Sequence, residues 1–422
     1  MDINEALSYI HSNVWTGGTF GIDLTLELLK KMGNPEKKLK FVHIAGTNGK
    51  GSTAAMTASI LQKAGYRVGL YTSPYIISFN ERIQINGENI SDDDLIALVE
   101  YIRPMADTLE TRCSEFELIT CMAMKYYLDQ KCDIVVLEVG LGGALDSTNC
   151  IECPEAAVMV NIGYDHMQIL GNTLEEIAGA KAGIIKDGCD CVVYHQAPSI
   201  EKVFADACAA HHATMHIAGT ENVVLRSASL KGQVFDWEDL KGLEIPLLGE
   251  HQLHNAATVL KTIEVLRGKG WKVSERNIRD GLRDVTWPGR FQIVREKPLF
   301  IIDGGHNPQC LDALTRAFRD YIPGRKITFL NGCMRDKDFG AMFEELVPFA
   351  KEFVTVTPNN PRALNAKDLK EHLKRYDLPV TACDTIAEGV RVAVEHAGED
   401  GVVCSCGSLY MISEIMAGLE NL

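Results

Sequence analysis

Short, nearly continuous apolar segments alternate along the chain with longer segments that have helical spacing. Strands of a parallel sheet buried on both faces have this character, because neither of their faces meets solvent. The alternation of such strands with helices predicts an α/β protein. The predicted strands are 41–45, 67–72, 133–139, 156–162, 299–303, 327–331, 353–357 and 402–406.

Segments with apolar residues at helical spacing occupy the intervals between these strands. The segment Trp287-Pro288-Gly289-Arg290-Phe291 breaks the pattern. It separates a first domain, 1–287, from a smaller Rossmann-like domain, 288–422. Residues 191–245 are expected to alternate short strands with turns. The predicted helices include 22–32, 54–64, 95–109, 116–128, 174–185 and 274–282.

The first strand leads into a glycine-rich turn that predicts a nucleotide phosphate site. Gly46, Gly49 and Gly51 surround Lys50, and Ser52 follows before a helical segment. Glycines let backbone N–H groups approach phosphate, the helix N-terminus favours negative charge, and the lysine adds a positive charge. An ordinary glycine-rich turn is the alternative, but a lysine within such a turn has no packing role. The spacing departs from the common G-x-x-x-x-G-K-[ST] pattern.

Polar side chains also lie at the end of one further predicted strand and just after the end of another. Glu138 interrupts the apolar run 133–139 near its end, and Asp165 and His166 follow 156–162. Carboxyl ends of parallel strands form the edge where α/β sheets bind ligands. A buried glutamate with a purely structural role is the alternative, although lone buried charges are costly. We therefore expect a carboxylate and an imidazole able to hold Mg²⁺.

Lys181 lies among small and apolar residues in A-G-A-K-A-G-I-I, within the predicted helix 174–185. Burial would lower the pKa of its amine and make the neutral form accessible. A surface lysine that extends its amine into solvent is the alternative. The residues alone do not decide between these two interpretations.

Composition and charge limit the class of protein. The 422 residues carry a formal net charge of −15, which disfavours nucleic acid and anionic membranes as partners. No apolar run has the length of a membrane span, and the N-terminal residues lack a secretory pattern, so we expect a cytoplasmic protein. Thirteen scattered cysteines are typical of reduced thiols. The absence of a G-x-G-x-x-G pattern argues against a nicotinamide site.

A series of motifs resembles the folylpolyglutamate synthase/dihydrofolate synthase family, within the wider Mur ligase group. The resemblance extends from about residue 20 to Tyr410 and rests on many independent motifs. These are, in order, G-T-N-G-K-G-S (46–52), T-S-P (72–74), N-E-R-I-Q-I-N-G (80–87), L-E-V-G-L-G-G (137–143), L-D-S-T-N (145–149), D-H (165–166), K-A-G-I-I (181–185), H-N-A-A (254–257), W-P-G-R (287–290), D-G-G-H-N-P (303–308) and D-K-D (336–338).

The resemblance implies an N-terminal ATPase domain of Mur-ligase type and a C-terminal glutamate-ligase domain. It also implies a reaction in which ATP converts a folate carboxylate into an acyl phosphate, which the α-amine of L-glutamate attacks to form an amide. The partners are then ATP, reduced folate and L-glutamate, bound to a monomer. Whether a monovalent cation is needed stays open.

The same resemblance assigns roles to individual residues. Lys181 matches a lysine that is carbamylated in this family, which moves our interpretation of it to a functional one. Catalytic roles fall to Lys50, His166, Lys181 and His306. Mg²⁺ would be held by Ser73, Glu138 and His166. ATP would contact Asn48, Gly49, Lys50, Gly51, Ser52, Asn255, Arg290 and Asp303. The pterin region includes Phe116, and the glutamate site includes His306 and Ser408.

Three residues depart from the family pattern: Ala144, Ala180 and Gly305. Many dual-function members have arginine at the position of Ala144, so folate chain extension is favoured over dihydrofolate synthesis. Two rival interpretations are a peptidoglycan ligase and a nucleotide-binding switch without ligase turnover. The first would normally bring an additional N-terminal domain, and the roughly 40 residues before the phosphate loop are too few for one.

Overall fold

The computed structural model describes residues 1–13, 21–305, 307–335 and 339–422. The chain forms two compact units. The first contains Met1–Val224, Phe235–Glu244 and Leu253–Val285, and the second contains Leu225–Val234, Ile245–Gln252 and Thr286–Leu422. The described part of the chain has no helix with both the length and the apolar character needed to cross a membrane.

An eight-stranded sheet, in the order β4-β3-β2-β5-β1-β6-β7-β8, organises the first unit. Its central strand, β1, pairs in parallel with β5 on one side and β6 on the other. The fully buried central strands explain the continuous apolar runs in the sequence. The strands are β1 (Phe41–Ala45), β2 (Val68–Tyr71), β3 (Ile83–Ile85), β4 (Glu88–Asn89), β5 (Ile134–Glu138), β6 (Ala156–Met159), β7 (Asp190–Tyr194) and β8 (Thr214–Ala218).

Helices cover this sheet, and several of them begin at a serine or threonine N-cap. Ser114 and Thr173 each form a capping box, which fixes the starts of α5 and α7. The helices of this part of the chain are α1 (Ile3–His11), α2 (Asp23–Lys31), α3 (Lys50–Lys63), α4 (Asp92–Ala106), α5 (Glu115–Asp129), α6 (Met167–Leu170), α7 (Leu174–Ala182), α8 (Pro198–Ala210), α9 (Glu250–Gly268) and α10 (Glu275–Arg283).

A six-stranded sheet, in the order β12-β13-β17-β14-β15-β16, organises the second unit, and all its strands except β12 run parallel to their neighbours. Phe318, Phe329, Phe343 and Phe353 fill its core. Its strands are β12 (Gln292–Glu296), β13 (Leu299–Ile302), β14 (Ile327–Asn331), β15 (Ala350–Thr355), β16 (Val380–Ala382) and β17 (Val402–Cys406). Its helices are α11 (Pro308–Tyr321), α12 (Phe339–Leu346), α13 (Ala366–Leu373), α14 (Ile386–Ala397) and α15 (Ile412–Glu420). A separate three-stranded sheet contains β9 (Val223–Ser229), β10 (Gly232–Trp237) and β11 (Leu240–Ile245).

Two local predictions were wrong. Helix α3 begins at Lys50 rather than near Ala54, since Gly49 supplies the left-handed N-cap conformation with φ +94°. The segment 191–245 contains the 13-residue helix α8. Its start is set by Pro198 at the first helical position, where a proline needs no hydrogen-bond donor.

Candidate active site

The phosphate loop, residues 46–52, connects β1 to α3 and is fixed by backbone contacts. The Thr47 N–H donates to the Asn161 carbonyl oxygen at 2.8 Å, and Asn48 N–H donates to the same oxygen at 3.3 Å. The Lys50 amine bonds to the Thr47 carbonyl at 3.3 Å. Because α3 starts at Lys50, the N-terminus of the helix lies within the loop, and a helix N-terminus favours the binding of an anion.

Asn255 of α9 lies directly against this loop. A Cβ atom built on Gly49 would be 2.5 Å from Asn255 Oδ1, and Gly49 also has a positive φ. Only glycine meets both conditions without strain. The structure thus brings Asn255 to Gly49, which is 206 residues earlier in the sequence.

Lys181, near the end of α7, is buried at the same loop. Its side chain is about 5% exposed, and its Nζ atom donates to the Gly46 carbonyl oxygen at 2.8 Å. Burial, together with the charge of Lys50, lowers the pKa of the Lys181 amine to about 7, although Asp165 and Asp146 oppose the shift. The interpretation of Lys181 as a surface lysine is therefore excluded, and its neutral amine is accessible near neutral pH.

Glu138 and Ser73 meet at the carboxyl ends of β5 and β2. The Ser73 N–H donates to Glu138 Oε2 at 3.2 Å, and Glu138 is only 4% exposed. His166 follows β6 at the same edge of the sheet, with a half-exposed side chain and a left-handed backbone conformation. Among the described residues, no group of three or more His, Cys, Asp and Glu side chains forms a metal cluster.

Phe116 lies at the start of α5, and its ring packs against Gly140, which follows β5. A Cβ atom on Gly140 would come within 2.6 Å of the Phe116 ring, so the ring covers the backbone two residues after Glu138. Tyr71 approaches the same ring, with a centroid separation of 6.0 Å. The predicted pterin residue thus lies against the segment that follows the predicted metal ligand Glu138.

In the second unit, Asp303 and Arg290 lie around the turn that follows β13. The Asp303 carboxylate accepts bonds from the N–H groups of Phe291 at 2.9 Å and Gly305 at 2.7 Å. Arg290 Nη1 lies 3.4 Å from the position of a Cβ on Gly304.

Ser408 is part of the same arrangement. It is buried and follows Gly407, whose N–H donates to the Gly305 carbonyl at 3.0 Å. The prediction for His306 lies outside the described residues, as does that for the D-K-D motif (336–338).

The sequence did not single out His43, which lies in β1 and is fully buried. Its Nε2 atom is 2.9 Å from Thr148 Oγ1, and the Thr148 hydroxyl donates to the Asp146 carboxylate. A histidine within the apolar strand F-V-H-I-A is the signal that could have indicated it, since a buried polar group needs a partner.

Comparison with protein families places this architecture among the Mur ligases. The model of the Mur ligase middle domain matches residues 44–263, and that of the Mur ligase glutamate ligase domain matches residues 289–409. The predicted α/β class with a Mur-type N-terminal domain and a smaller C-terminal domain is confirmed.

Similarity to individual proteins shows which family within the Mur ligases the chain matches. The dihydrofolate synthase/folylpolyglutamate synthase of Bacillus subtilis is 36% identical to this chain, and the match covers 99% of both. The structure of the apo form of the L. casei folylpolyglutamate synthase aligns with a TM-score of 0.87 at 33% identity and covers 100% of both chains. A structure of a folylpolyglutamate synthase complexed with AMPPCP and folate aligns with a TM-score of 0.84 at 32% identity, over 99% of this chain and 100% of that one. The chain belongs to the dihydrofolate synthase/folylpolyglutamate synthase family, as the sequence motifs predict.

Proposed function

We propose that this protein is an ATP-dependent ligase that adds L-glutamate to the γ-carboxylate of a reduced folate and releases folylpolyglutamate, ADP and phosphate. The observation that carries the proposal is the position of the Lys181 amine, buried against the Gly46 carbonyl of the phosphate loop. Membership of the family supports the substrate class. Such an enzyme works in the cytoplasm on small molecules.

ATP binds through its triphosphate to the loop that begins α3. In this proposal the loop residues Asn48, Gly49 and Gly51, the Lys50 amine and the Ser52 hydroxyl contact the phosphate oxygens, and Gly51 does so through a backbone N–H of the first helical turn. Asn255 lies against Gly49 and makes a further contact with the nucleotide. The described helix N-terminus explains how a strongly acidic protein holds an anion.

The donor set at the sheet edge fits Mg²⁺. This ion usually takes one or two protein carboxylates and completes its shell with phosphate oxygens and water. Glu138 supplies a carboxylate beside Ser73, and His166 follows β6, which β1 separates from β5 in the sheet. When bound there, Mg²⁺ neutralises charge that develops on the transferred phosphoryl group.

The γ-carboxylate oxygen of folate attacks the γ-phosphorus of ATP, ADP leaves, and an acyl phosphate forms. The α-amine of L-glutamate then attacks the acyl carbon. The tetrahedral intermediate collapses, phosphate leaves with the C–O bond electrons, and the amine loses its proton. The protein contributes position and charge to both steps.

Carbamylation of Lys181 suits this chemistry. A neutral amine reacts with CO₂, and the low pKa of Lys181 provides that form near neutral pH. The product is an anion that favours Mg²⁺, whereas an ammonium group at the same place would repel it. Phe116 contacts the pterin. His306 and Ser408 contribute to the glutamate site, whereas Arg290 and Asp303 contact ATP.

Dihydropteroate is the second candidate acceptor, and the name of the Bacillus subtilis relative includes this activity. Ala144 is exposed in the loop that follows β5. Its short side chain offers no positive charge where many dual-function members have arginine, so we expect chain extension to dominate. The test compares tetrahydrofolate with dihydropteroate at equal ATP, Mg²⁺ and glutamate, and identifies products by mass. Turnover with tetrahydrofolate that adds one glutamyl residue supports the proposal, and turnover with dihydropteroate alone contradicts it.

A further inference from the structure

His43 and Thr148 form a buried hydrogen-bonded pair that the proposed reaction does not use directly. They are 105 residues apart in sequence, and their Nε2 and Oγ1 atoms are 2.9 Å apart. Burial, with a smaller effect of Lys186, lowers the pKa of His43 to about 3, so its imidazole is neutral. Burial of two polar side chains costs desolvation free energy, which their hydrogen bond offsets only while both partners stay in place.

The donors and acceptors among His43, Thr148 and Asp146 can be assigned from their chemistry. The single proton of the Thr148 hydroxyl is donated to Asp146 Oδ1, so the hydroxyl oxygen accepts from Nε2–H of His43. In the described structure, His43 Nδ1 has no hydrogen-bond partner. The chain of bonds therefore runs one way, from His43 through Thr148 to Asp146. We call these three residues the His43 network.

Asp146 sets the shape of residues 140–149, which we call the Asp146 loop. Its carboxylate accepts from the N–H groups of Leu141 at 2.8 Å and of Thr148 at 3.0 Å. The side chain is about 6% exposed, and burial raises its pKa while these hydrogen bonds oppose the shift. Removal of the Thr148 hydroxyl would leave this buried carboxylate short of a donor.

The Asp146 loop packs against the end of α7, which carries Lys181. The Ala144 N–H donates to the Ala180 carbonyl at 3.0 Å, and the Asn149 amide donates to the carbonyls of Ala144 at 3.0 Å and Gly183 at 3.1 Å. Gly143 is so close that an added Cβ would be 2.6 Å from the Lys181 carbonyl oxygen. A shift of the loop would therefore move the backbone of Lys181.

These contacts hold Lys181 at both its amine and its backbone. Lys181 bonds through its amine to Gly46, three residues after His43 in the same β1-to-loop segment. Its backbone meets the Asp146 loop, which is bonded back to His43. The amine and the backbone of Lys181 are thus both connected to the segment 43–46, which leads from β1 into the phosphate loop.

We infer that His43 and Thr148 are positioning residues for Lys181. They hold the Asp146 loop in the shape that places the Lys181 amine at the phosphate loop, where it is carbamylated and supports ligation. This inference rests on the proposed function, and it predicts that loss of the Thr148 hydroxyl impairs the chemical step more than ATP binding. A role in folding alone would instead change only the stability of the protein.

The test uses three variants of the full-length protein. Thr148→Val keeps the shape and removes the hydroxyl, whereas Thr148→Ser keeps the hydroxyl. Thr262→Val is the matched control, because Thr262 is also fully buried and donates to the Thr258 carbonyl at 2.8 Å, within α9. Each variant is measured for melting temperature, for kcat and KM of ATP, and for carbamate at Lys181 by NMR after incubation with ¹³C-bicarbonate.

We expect Thr148→Val to lose most of the carbamate signal and about 10- to 100-fold in kcat, with KM for ATP nearly unchanged. Thr148→Ser should restore both, and Thr262→Val should lower the melting temperature alone. Wild-type carbamate and kcat in Thr148→Val, an equal loss in Thr262→Val, or no carbamate in the wild-type protein would overturn the inference. The carbamate signal does not depend on turnover. A wild-type protein with carbamate but without folate-dependent turnover would contradict the proposed function instead.

Discussion

The amine of Lys181 donates a hydrogen bond to the carbonyl oxygen of Gly46, at 2.8 Å. This contact joins the end of α7 to the first residue of the phosphate loop. A protonated lysine would bring a second cation next to Lys50, and burial makes that form costly. These two effects lower the pKa of Lys181 to about 7, so a neutral amine is available for the proposed carbamate.

Replacement of Lys181 should abolish most of the activity. We expect Lys181→Ala to lower kcat by about 100-fold or more, since the charge that acts on the phosphoryl group is lost. Added bicarbonate should not restore turnover, because no amine is left to react. Lys202→Ala, which changes an exposed lysine paired with Asp206, serves as the control. Normal turnover in Lys181→Ala would refute the carbamate role.

Carbamate at Lys181 should depend on pH. With a pKa of about 7, the amine is mostly neutral at pH 8 and mostly protonated at pH 6. Only the neutral amine reacts with CO₂, so the carbamate signal should fall as the pH drops through 7. The measurement is ¹³C NMR of protein with labelled bicarbonate, and Lys181→Ala identifies the resonance. A signal that does not change between pH 6 and 8 would contradict the account.

Gly49→Ala should damage ATP binding through both shape and backbone conformation. The new Cβ would lie 2.5 Å from Asn255 Oδ1, at a φ of +94°. We expect ADP to bind at least about tenfold more weakly by calorimetry. Gly65→Ala is the matched control, because Gly65 has a φ of +90° but nothing within 4 Å of its added Cβ. Equal affinities in the two variants would show that Asn255 and the loop are not part of the nucleotide site.

Glu138→Gln should raise the Mg²⁺ requirement. The amide keeps the size of the side chain but removes the anionic ligand, so we expect half-maximal activity at a Mg²⁺ concentration about tenfold higher or more. Glu264→Gln, on the exposed face of α9, should behave as the wild-type protein. A Mg²⁺ titration that is identical in all three proteins would remove Glu138 from the metal site.

Much of the fold could be predicted because the sheets are buried on both faces. Strands β14 and β17 were predicted with their observed ends, since apolar runs bounded by polar residues leave little freedom. Helix α8 was missed although its alanines favour a helix, because strands β7 and β8 on either side of it dominate the pattern of 191–245. The phosphate loop was predictable because glycine and lysine carry their chemistry locally.

Other parts of the site depend on long-range contacts that no local pattern contains. The residues alone left the burial of Lys181 undecided, because its environment comes from Gly46, 135 positions earlier. The partner of His43, Thr148, is also remote, at 105 positions later in the sequence. The contact between Gly49 and Asn255 also joins distant segments, although the family resemblance had assigned both residues to ATP.

The most direct test of the central claim is the dependence of ADP release on the two co-substrates. Purified protein is incubated with ATP and Mg²⁺, and with tetrahydrofolate and L-glutamate added separately and together. The account predicts sustained ADP release, matched by glutamyl-folate product, only when both are present. ADP release at the same rate without L-glutamate would contradict it.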